Sequence, residues 1–185
     1  MGAGVYPGRK PIPKEVDMTH PMVSQLLFTR SEFKRGLEGL TGEDASRRLP
    51  PLNCISWNVG HLAWQEQRCF LYGGQKKILL PEVDTAYAYG APACTPKLDE
   101  MLSAWQTVTA AVDPWLDSLA SEDLLKNIDR GKEFGSYMLG SLLQRVIYHY
   151  WYHNGENLAI RQALGHTNLP QFVGDIDREA PYRPA

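Results

Sequence analysis

The sequence predicts an all-α protein in which four helices form a bundle. Two observations predict this class. From Pro21 to about Leu40 apolar residues recur every three or four positions, which is the amphipathic period of a helix, and three later segments are also typical of helices. Glycines, prolines and short polar stretches separate these segments from one another. At 185 residues the chain has the length of one domain, long enough to bury an apolar core without disulfides.

The N-terminal part of the sequence predicts an extended arm followed by the first helix. Glycine and proline are frequent in residues 1–19 and cannot sustain a helix there. From Pro21 to about Leu40 apolar residues follow the helical period. At 100° per residue, Thr29 and Arg30 lie on the same side as the apolar residues, which is an unusual position for a guanidinium. We therefore expect an arm over residues 1–19 and a bundle over residues 20–165.

The second helix is predicted from near Cys54 to the glycine pair Gly73 and Gly74, with Asn53 as its N-cap. Residues 73–94 combine Gly, Pro and short aromatic stretches without a sustained period. They are typical of a long surface connection, and such connections often border functional sites.

The third helix is predicted from Thr95 to about Leu119. Thr95 suits the N-cap position and Pro96 suits the first helical position. Pro114 lies inside this segment, so we expect it to kink or divide the helix. A short capped turn is predicted to follow over residues 121–124.

The fourth and longest helix is predicted over residues 136–164. Gly131 and Gly135 break the chain before it, and Gly165 follows its last turn as a C′ glycine. The remaining residues, 166–185, contain several prolines. We expect them to form an irregular tail that lies on the bundle or on a partner.

Three histidines form the strongest candidate site. His149 and His153 are four residues apart, so their side chains lie on one helical face with Cβ atoms roughly 5–6 Å apart. Both fall on the buried side of the fourth helix, and His61 lies on an unusually polar face of the second helix. Three protein ligands are the number that a catalytic zinc ion takes. The spacing alone is equally compatible with hydrogen-bonded core histidines.

Other polar residues are predicted to face the same interior. Glu156 could orient a metal ligand or move a proton, and the alternative is a salt bridge with Arg161 or a neighbouring residue. The candidate substrate-binding residues around the histidines lie on the first and second helices. They are Arg30, Trp57, Gln65 and Arg68. The two arginines could anchor an anionic substrate, although inward-facing arginines more often pair with a carboxylate such as Glu156.

The composition argues against several classes of protein. Nineteen basic and twenty-one acidic side chains give a net charge of −2, so no nucleic-acid partner is expected. Cys54, Cys69 and Cys94 are odd in number and lack C-x-x-C spacing, which favours a reducing cytoplasm. We find neither a signal-like start nor a long apolar stretch, so no membrane association is expected. Tyr150 follows His149 where the HExxH motif of metallopeptidases requires glutamate, so a peptidase is not indicated.

Two segments carry a family resemblance. NCISWNVGHLAWQEQR (53–68) and YHYWYHNGENLAIRQALGH (148–166) resemble the DinB-like, YfiT-like family of metalloenzymes, named after damage-inducible proteins and unrelated to the polymerase of that label. Residues near both ends of the chain also resemble one branch of this family. The resemblance implies an up-and-down four-helix bundle with a long crossover connection. It also implies a divalent metal, commonly zinc or nickel, on three histidines, which match His61, His149 and His153.

The resemblance further implies a homodimer acting on a small-molecule substrate. Some relatives transfer or isomerise substrates with a low-molecular-weight thiol such as bacillithiol or mycothiol. We therefore expect a thiol-dependent transferase or isomerase. Three alternatives remain at this stage. One is a non-enzymatic metal- or ligand-binding stress-response protein, its metal closed by Gln65 or Glu156. Another is a metal-assisted hydrolase with Glu156 as the base, and the least specific is an interaction module that uses the arm and tail.

Overall fold

The computed structural model describes residues 19–171 and 173–184, and most of them are helical. The predicted all-α class is confirmed. The elements, in chain order, are α1 (Pro21–Gly36), α2 (Gly42–Ser46), α3 (Ile55–Glu66), a π-helical segment (Gln67–Gly73), α4 (Pro81–Ala86), α5 (Leu98–Asp117), α6 (Ser121–Leu124), β1 (Asn127–Asp129), β2 (Ser136–Met138), α7 (Leu139–Ala163) and α8 (Ile176–Glu179). Residues 1–18, which make up nearly all of the predicted arm, lie outside the described residues.

Four long helices, α1, α3, α5 and α7, enclose the core. Helix α3 packs against α5 and α7, and α1 packs against α7. The largest fully buried side chains come from these helices and from the π-helical segment. No helix in the described part of the chain has both the length and the apolar character that a membrane crossing requires.

The second predicted helix begins later and ends differently. Cys54 is the N-cap of α3, one residue after the predicted Asn53. The π-helical segment follows α3 directly and continues the predicted helix up to Gly73. The side chain of Gln67 accepts hydrogen bonds from the connection that follows, from the amides of Leu79 and Leu80 at 3.0 and 2.7 Å. The end of this helix is therefore tied to the connection that follows it.

That connection is not wholly irregular, which corrects the prediction for residues 73–94. Helix α4 starts with Pro81 at its first helical turn and buries Val83. Tyr87, which follows α4, is also buried. A six-residue helix is too short to show a helical period in the sequence, so the period could not reveal it.

The third predicted helix begins at Leu98 with Lys97 as its N-cap, so the predicted cap at Thr95 is wrong. The expected division at Pro114 is also wrong, because α5 continues through it to Asp117. Proline removes one backbone hydrogen bond from a helix. Val112 and Leu116 are fully buried on either side of Pro114, so packing holds the helix together across that gap.

A two-stranded hairpin replaces the predicted first turn of the last helix. Ser136–Met138 pairs antiparallel with Asn127–Asp129, so α7 begins at Leu139 rather than at residue 136. Gly131 and Gly135 have φ values of 98° and 69° in the turn of this hairpin, a backbone region that favours glycine.

The end of α7 follows the prediction. Gly165 has a φ of 87° and its amide bonds to the carbonyl of Gln162, so it is the expected C′ glycine. The predicted irregular tail contains the short helix α8 and lies on α1. Gln25 of α1 donates to the carbonyl of Ala180 at 2.7 Å.

Candidate metal centre

The three predicted histidines meet between α3 and α7. The atoms that His61, His149 and His153 can offer to a metal lie within 4.8 Å of one another. The centroid of the His61 ring lies 5.0 Å from that of His149 and 5.3 Å from that of His153. His61 and His153 are buried, and His149 is partly buried. Residues almost ninety positions apart in the chain thus form one polar cluster, which we call the three-histidine site.

The orientation of His61 is fixed by its backbone partner. Its Nδ1 lies 2.7 Å from the carbonyl oxygen of Tyr87, and a carbonyl can only accept, so Nδ1 carries the proton. Burial lowers the pKa of His61 to about 4, which keeps the ring neutral at pH 7. Trp57 and Trp64 stack on the ring with centroids 4.9 and 5.1 Å away. The Nε2 atom of His61 is therefore left with a free lone pair.

The orientation of His153 is fixed by a carboxylate. Its Nδ1 lies 2.8 Å from Oε2 of Glu156, and the same oxygen accepts from Nδ2 of Asn58 at 3.0 Å. A histidine that donates one nitrogen to a carboxylate is typical of metal ligands, because the partner fixes the tautomer and the ring plane. The Nε2 atom of His153 then faces away from Glu156. It lies 3.0 Å from Nε2 of His149.

His149 completes the site and is the least satisfied of the three rings. Burial, followed by the charges of His153 and His61, lowers its pKa to about 3, so this ring too is neutral at pH 7. Its Nε2 faces the lone pair of His153 and supplies the proton between them. Its Nδ1 is buried and has no hydrogen-bond partner among the described residues.

This donor set fits a divalent metal ion. Neutral imidazoles are ligands for zinc, nickel, copper and iron, and three of them leave a coordination position for water or substrate. The unpartnered Nδ1 of His149 and the lone pair on Nε2 of His61 show that the polar atoms of the cluster do not all satisfy one another. Glu156 bonds to the opposite edge of His153, so in the described structure it orients that histidine rather than joining the three nitrogens.

A pocket of about 430 Å³ opens beside this site. Its lining comes from α3, the π-helical segment, the hairpin, α7 and the connection near Tyr89. The lining residues are His61, Trp64, Gln65, Arg68, Cys69, Tyr89, Arg130, Phe134, Tyr137, Arg145 and His149. Oε1 of Gln65 is buried and has no hydrogen-bond partner among the described residues. The pocket therefore offers a small molecule direct access to two of the three histidines.

Two of the four predicted substrate-binding residues, Gln65 and Arg68, line this pocket. The guanidinium of Arg68 pairs with Asp84 and lies 5.0 Å from the centroid of the Phe134 ring. Trp57 contacts the site through its stacking on His61 but is not part of the pocket wall.

Arg30, the fourth predicted substrate-binding residue, does not line this pocket either. It is 5% exposed and is bound by Glu66 and Asp113. Burial by itself would lower the pKa of Arg30, but the charge and hydrogen bond of Glu66 outweigh it and raise that pKa. The carboxylate partner is thus Glu66 rather than the predicted Glu156. Each of the three guanidinium nitrogens donates to Glu66 or Asp113.

The alternative partner predicted for Glu156 is not found either. Arg161 donates to the backbone carbonyls of Gly36 and Glu38, at 2.6 and 2.9 Å, and ties the end of α7 to the end of α1. Glu156 instead contacts His153 and Asn58.

Sequence reasoning missed the hairpin side of the pocket. Arg130, Phe134 and Tyr137 come from β2 and the turn before it, and Arg145 comes from the second turn of α7. Gly131 and Gly135 signalled a turn near these residues. No local pattern in the sequence indicates that this turn folds onto the π-helical segment, where Arg130 contacts Cys69.

One comparison with known proteins gives a match. The model of the DinB superfamily matches residues 25–156, which extend from α1 into α7 and include all three histidines. The comparison with curated proteins gives no match.

Proposed function

We propose that this chain, which belongs to the DinB superfamily, binds one divalent metal ion on His61, His149 and His153 and uses it in a reaction of a small molecule. One observation carries the proposal. Two of the rings have Nδ1 held by the acceptors Tyr87 and Glu156, which turns their Nε2 lone pairs to the inner side of the cluster, where Nε2 of His149 bonds only to that of His153. Histidines that only stabilise a core have both nitrogens satisfied by protein or water.

A divalent ion at this position would act as a Lewis acid and lower the pKa of a bound thiol or water. The residues of the chain supply orientation and exclude solvent. The carbonyl of Tyr87 and the carboxylate of Glu156 hold two rings in place. Trp57 and Trp64 cover the ring of His61. The pocket admits the substrate beside His61 and His149.

The finer proposal is a transferase or isomerase that uses zinc or nickel and a low-molecular-weight thiol. Its support is the family resemblance of the segments that contain the three histidines. In the transfer reaction the thiol releases its proton to solvent. Its sulfur then forms a bond to an electrophilic carbon of the substrate, and the leaving group departs with the electrons of the broken bond. No protein base is needed for this step, which agrees with a site in which Glu156 is engaged by His153 and Asn58.

Elemental analysis tests the metal site directly. We expect about one equivalent of a divalent metal in the purified protein and its loss in His149→Ala. His166→Ala is the matched control, because His166 is a partly buried histidine that pairs with Asp44 away from the site. Stoichiometric metal in His149→Ala, or none in the wild type after incubation with zinc and nickel, would contradict the proposal.

The thiol reaction needs its own assay. The metal-loaded protein should consume low-molecular-weight thiols together with electrophilic substrates, and His149→Ala should not. If a panel of such thiols is neither bound nor consumed, the transferase proposal is wrong, although the metal site can still stand.

The non-enzymatic alternative needs a fourth protein ligand that closes the metal. Glu156 is engaged behind His153, which leaves Gln65 with its unpartnered Oε1 as the candidate. A metal-bound structure decides between these proposals, because a closed four-ligand shell favours a structural ion and an open position favours catalysis.

The hydrolase alternative requires Glu156 as the base. Full turnover by Glu156→Gln would remove it.

We also propose that the protein is a cytoplasmic homodimer, and the support is again the family resemblance. Light scattering of the full chain should give twice the mass of one chain. Deletion of residues 1–18 tests whether the arm contributes to the dimer, since the same oligomer without it would exclude an exchanged arm.

A further inference from the structure

We infer that the pocket beside the three-histidine site selects small organic acids, with the carboxylate or phosphate of the ligand held by Arg130 and Arg145. This inference names the substrate class of the site and rests on the proposed function. It is carried by two arginines that line the same pocket as His61 and His149, Arg145 lying one helical turn before His149 on α7.

Three arginines line this pocket, and no carboxylate is among its lining residues. Arg68 is neutralised by Asp84, and Glu133 lies close enough to influence Asp84 electrostatically. Among the ion pairs of residues 19–171 and 173–184, none involves Arg130 or Arg145. The wall of the pocket thus carries two guanidinium charges that are not paired with a carboxylate.

Aromatic rings hold these two guanidinium groups in place. Arg130 lies 4.6 Å and Arg145 lies 5.1 Å from the centroid of the same Tyr137 ring. Arg130 also donates from Nη2 to the carbonyl of Phe134 at 2.8 Å and from Nη1 to Sγ of Cys69 at 3.7 Å. Its Nε is buried and has no hydrogen-bond partner among the described residues. Arginines fixed on an aromatic ring lose little further freedom when they bind an anion, and their planar forks match a carboxylate or phosphate.

Other polar groups of the pocket define what else the ligand must carry. His61 and His149 line it together with Gln65, whose buried Oε1 has no hydrogen-bond partner among the described residues. An acceptor in that position favours a ligand that carries an O–H, N–H or S–H group. The pocket volume of about 430 Å³ suits a small organic molecule. The substrate class is therefore an organic acid that also carries a hydrogen-bond donor.

Calorimetric titration with succinate, inorganic phosphate and neutral succinamide tests the anion site in the full-length, metal-loaded protein. We expect one of the two anions to bind and succinamide not to bind, and the tighter anion identifies the charged group as carboxylate or phosphate. Arg145→Gln should weaken anion binding by roughly tenfold or more, since a charge-assisted hydrogen bond is lost. Arg47→Gln is the control, because it removes the same charge from an exposed position outside the pocket.

Two further measurements distinguish a loss of anion binding from a loss of folding and from a loss of metal. Arg130→Lys retains the charge but loses the fork, and we expect weaker anion binding with unchanged thermal unfolding. Elemental analysis of Arg145→Gln should give the wild-type metal content. Anion binding that is absent from a metal-replete wild type, or equal in wild type and Arg145→Gln, overturns this inference and leaves the metal proposal standing. Arginine-dependent anion binding by a protein that holds no metal would support this inference and contradict the metal proposal.

Discussion

Two polar clusters share the interior of this bundle and differ in how their atoms are used. The three-histidine site has facing Nε2 atoms, an unpartnered Nδ1 and an adjoining pocket. The second cluster, which we call the Arg30 network, consists of Arg30, Glu66, Trp105, Asp113 and Tyr150. Here Arg30 Nε donates to Glu66 at 2.7 Å, Tyr150 donates to Glu66 at 2.6 Å, and Trp105 donates to Tyr150 at 2.6 Å. The donors and acceptors of the network are matched to one another.

The same helices supply both clusters. His149 and Tyr150 are consecutive in α7, yet they belong to different clusters because neighbouring helical side chains point about 100° apart. On α3, His61 belongs to the site and Glu66 to the network. Burial alone therefore does not distinguish a polar residue of the proposed metal site from a structural one. The two clusters differ in whether other groups of the protein use the hydrogen-bonding capacity of each polar side chain.

The largest effect on stability is expected from Arg30→Met. This change leaves Glu66, which is fully buried, without its charged partner. We expect the free energy of unfolding to fall by about 3–5 kcal/mol, measured by urea denaturation. Arg47→Met should change it little, because Arg47 is exposed. Any folded Arg30→Met protein should retain its metal. Loss of metal with unchanged stability would place Arg30 in the site after all.

His149→Ala should have the converse effect. It removes a proposed ligand, so metal affinity should fall by more than the roughly 10–100-fold that loss of an outer partner causes. The stability of the metal-free protein should change much less than in Arg30→Met, because the polar atoms removed include the unpartnered Nδ1. Competition with a chelating dye measures the affinity, and urea denaturation measures the stability. A strong loss of metal-free stability would assign His149 to the core.

Tyr150→Phe tests the network with a smaller change. It removes the hydroxyl that donates to Glu66 and accepts from Trp105, while the ring still packs against Phe33. We expect a loss of about 1–3 kcal/mol in the free energy of unfolding, since buried polar groups are left unpaired. Metal content should equal that of the wild type. A loss of metal would show that the two clusters are coupled.

Glu156→Gln should have the smallest effect. The amide oxygen of glutamine can still accept from Nδ1 of His153, but it lacks the negative charge that makes the ring a better ligand. We expect metal affinity to fall by roughly tenfold, the lower end for an outer partner, with little change in unfolding. Glu133→Gln, an acidic residue outside the three-histidine site, serves as the control. An unchanged affinity would mean that Glu156 does not support the ligand.

Much of the helical fold could be predicted from the sequence, because amphipathic period and stop signals are local properties. The first and last long helices follow that period, and Gly165 ends the last one as expected. The short elements could not be predicted in this way. Helix α4 is too short to show a period, and the strand over residues 136–138 exists because it pairs with residues 127–129.

The sequence by itself determined that His149 and His153 share a helical face, since a spacing of four requires it. The tertiary structure brought His61 to them and chose the acceptors Tyr87 and Glu156. It also assigned Arg30 to Glu66 and placed Arg130 and Arg145 around Tyr137 in the pocket. The physical reason is that a hydrogen bond or ion pair between distant segments depends on which segments the tertiary fold brings into contact. The helical period specifies which face of a helix is buried, but not which partner will meet it there.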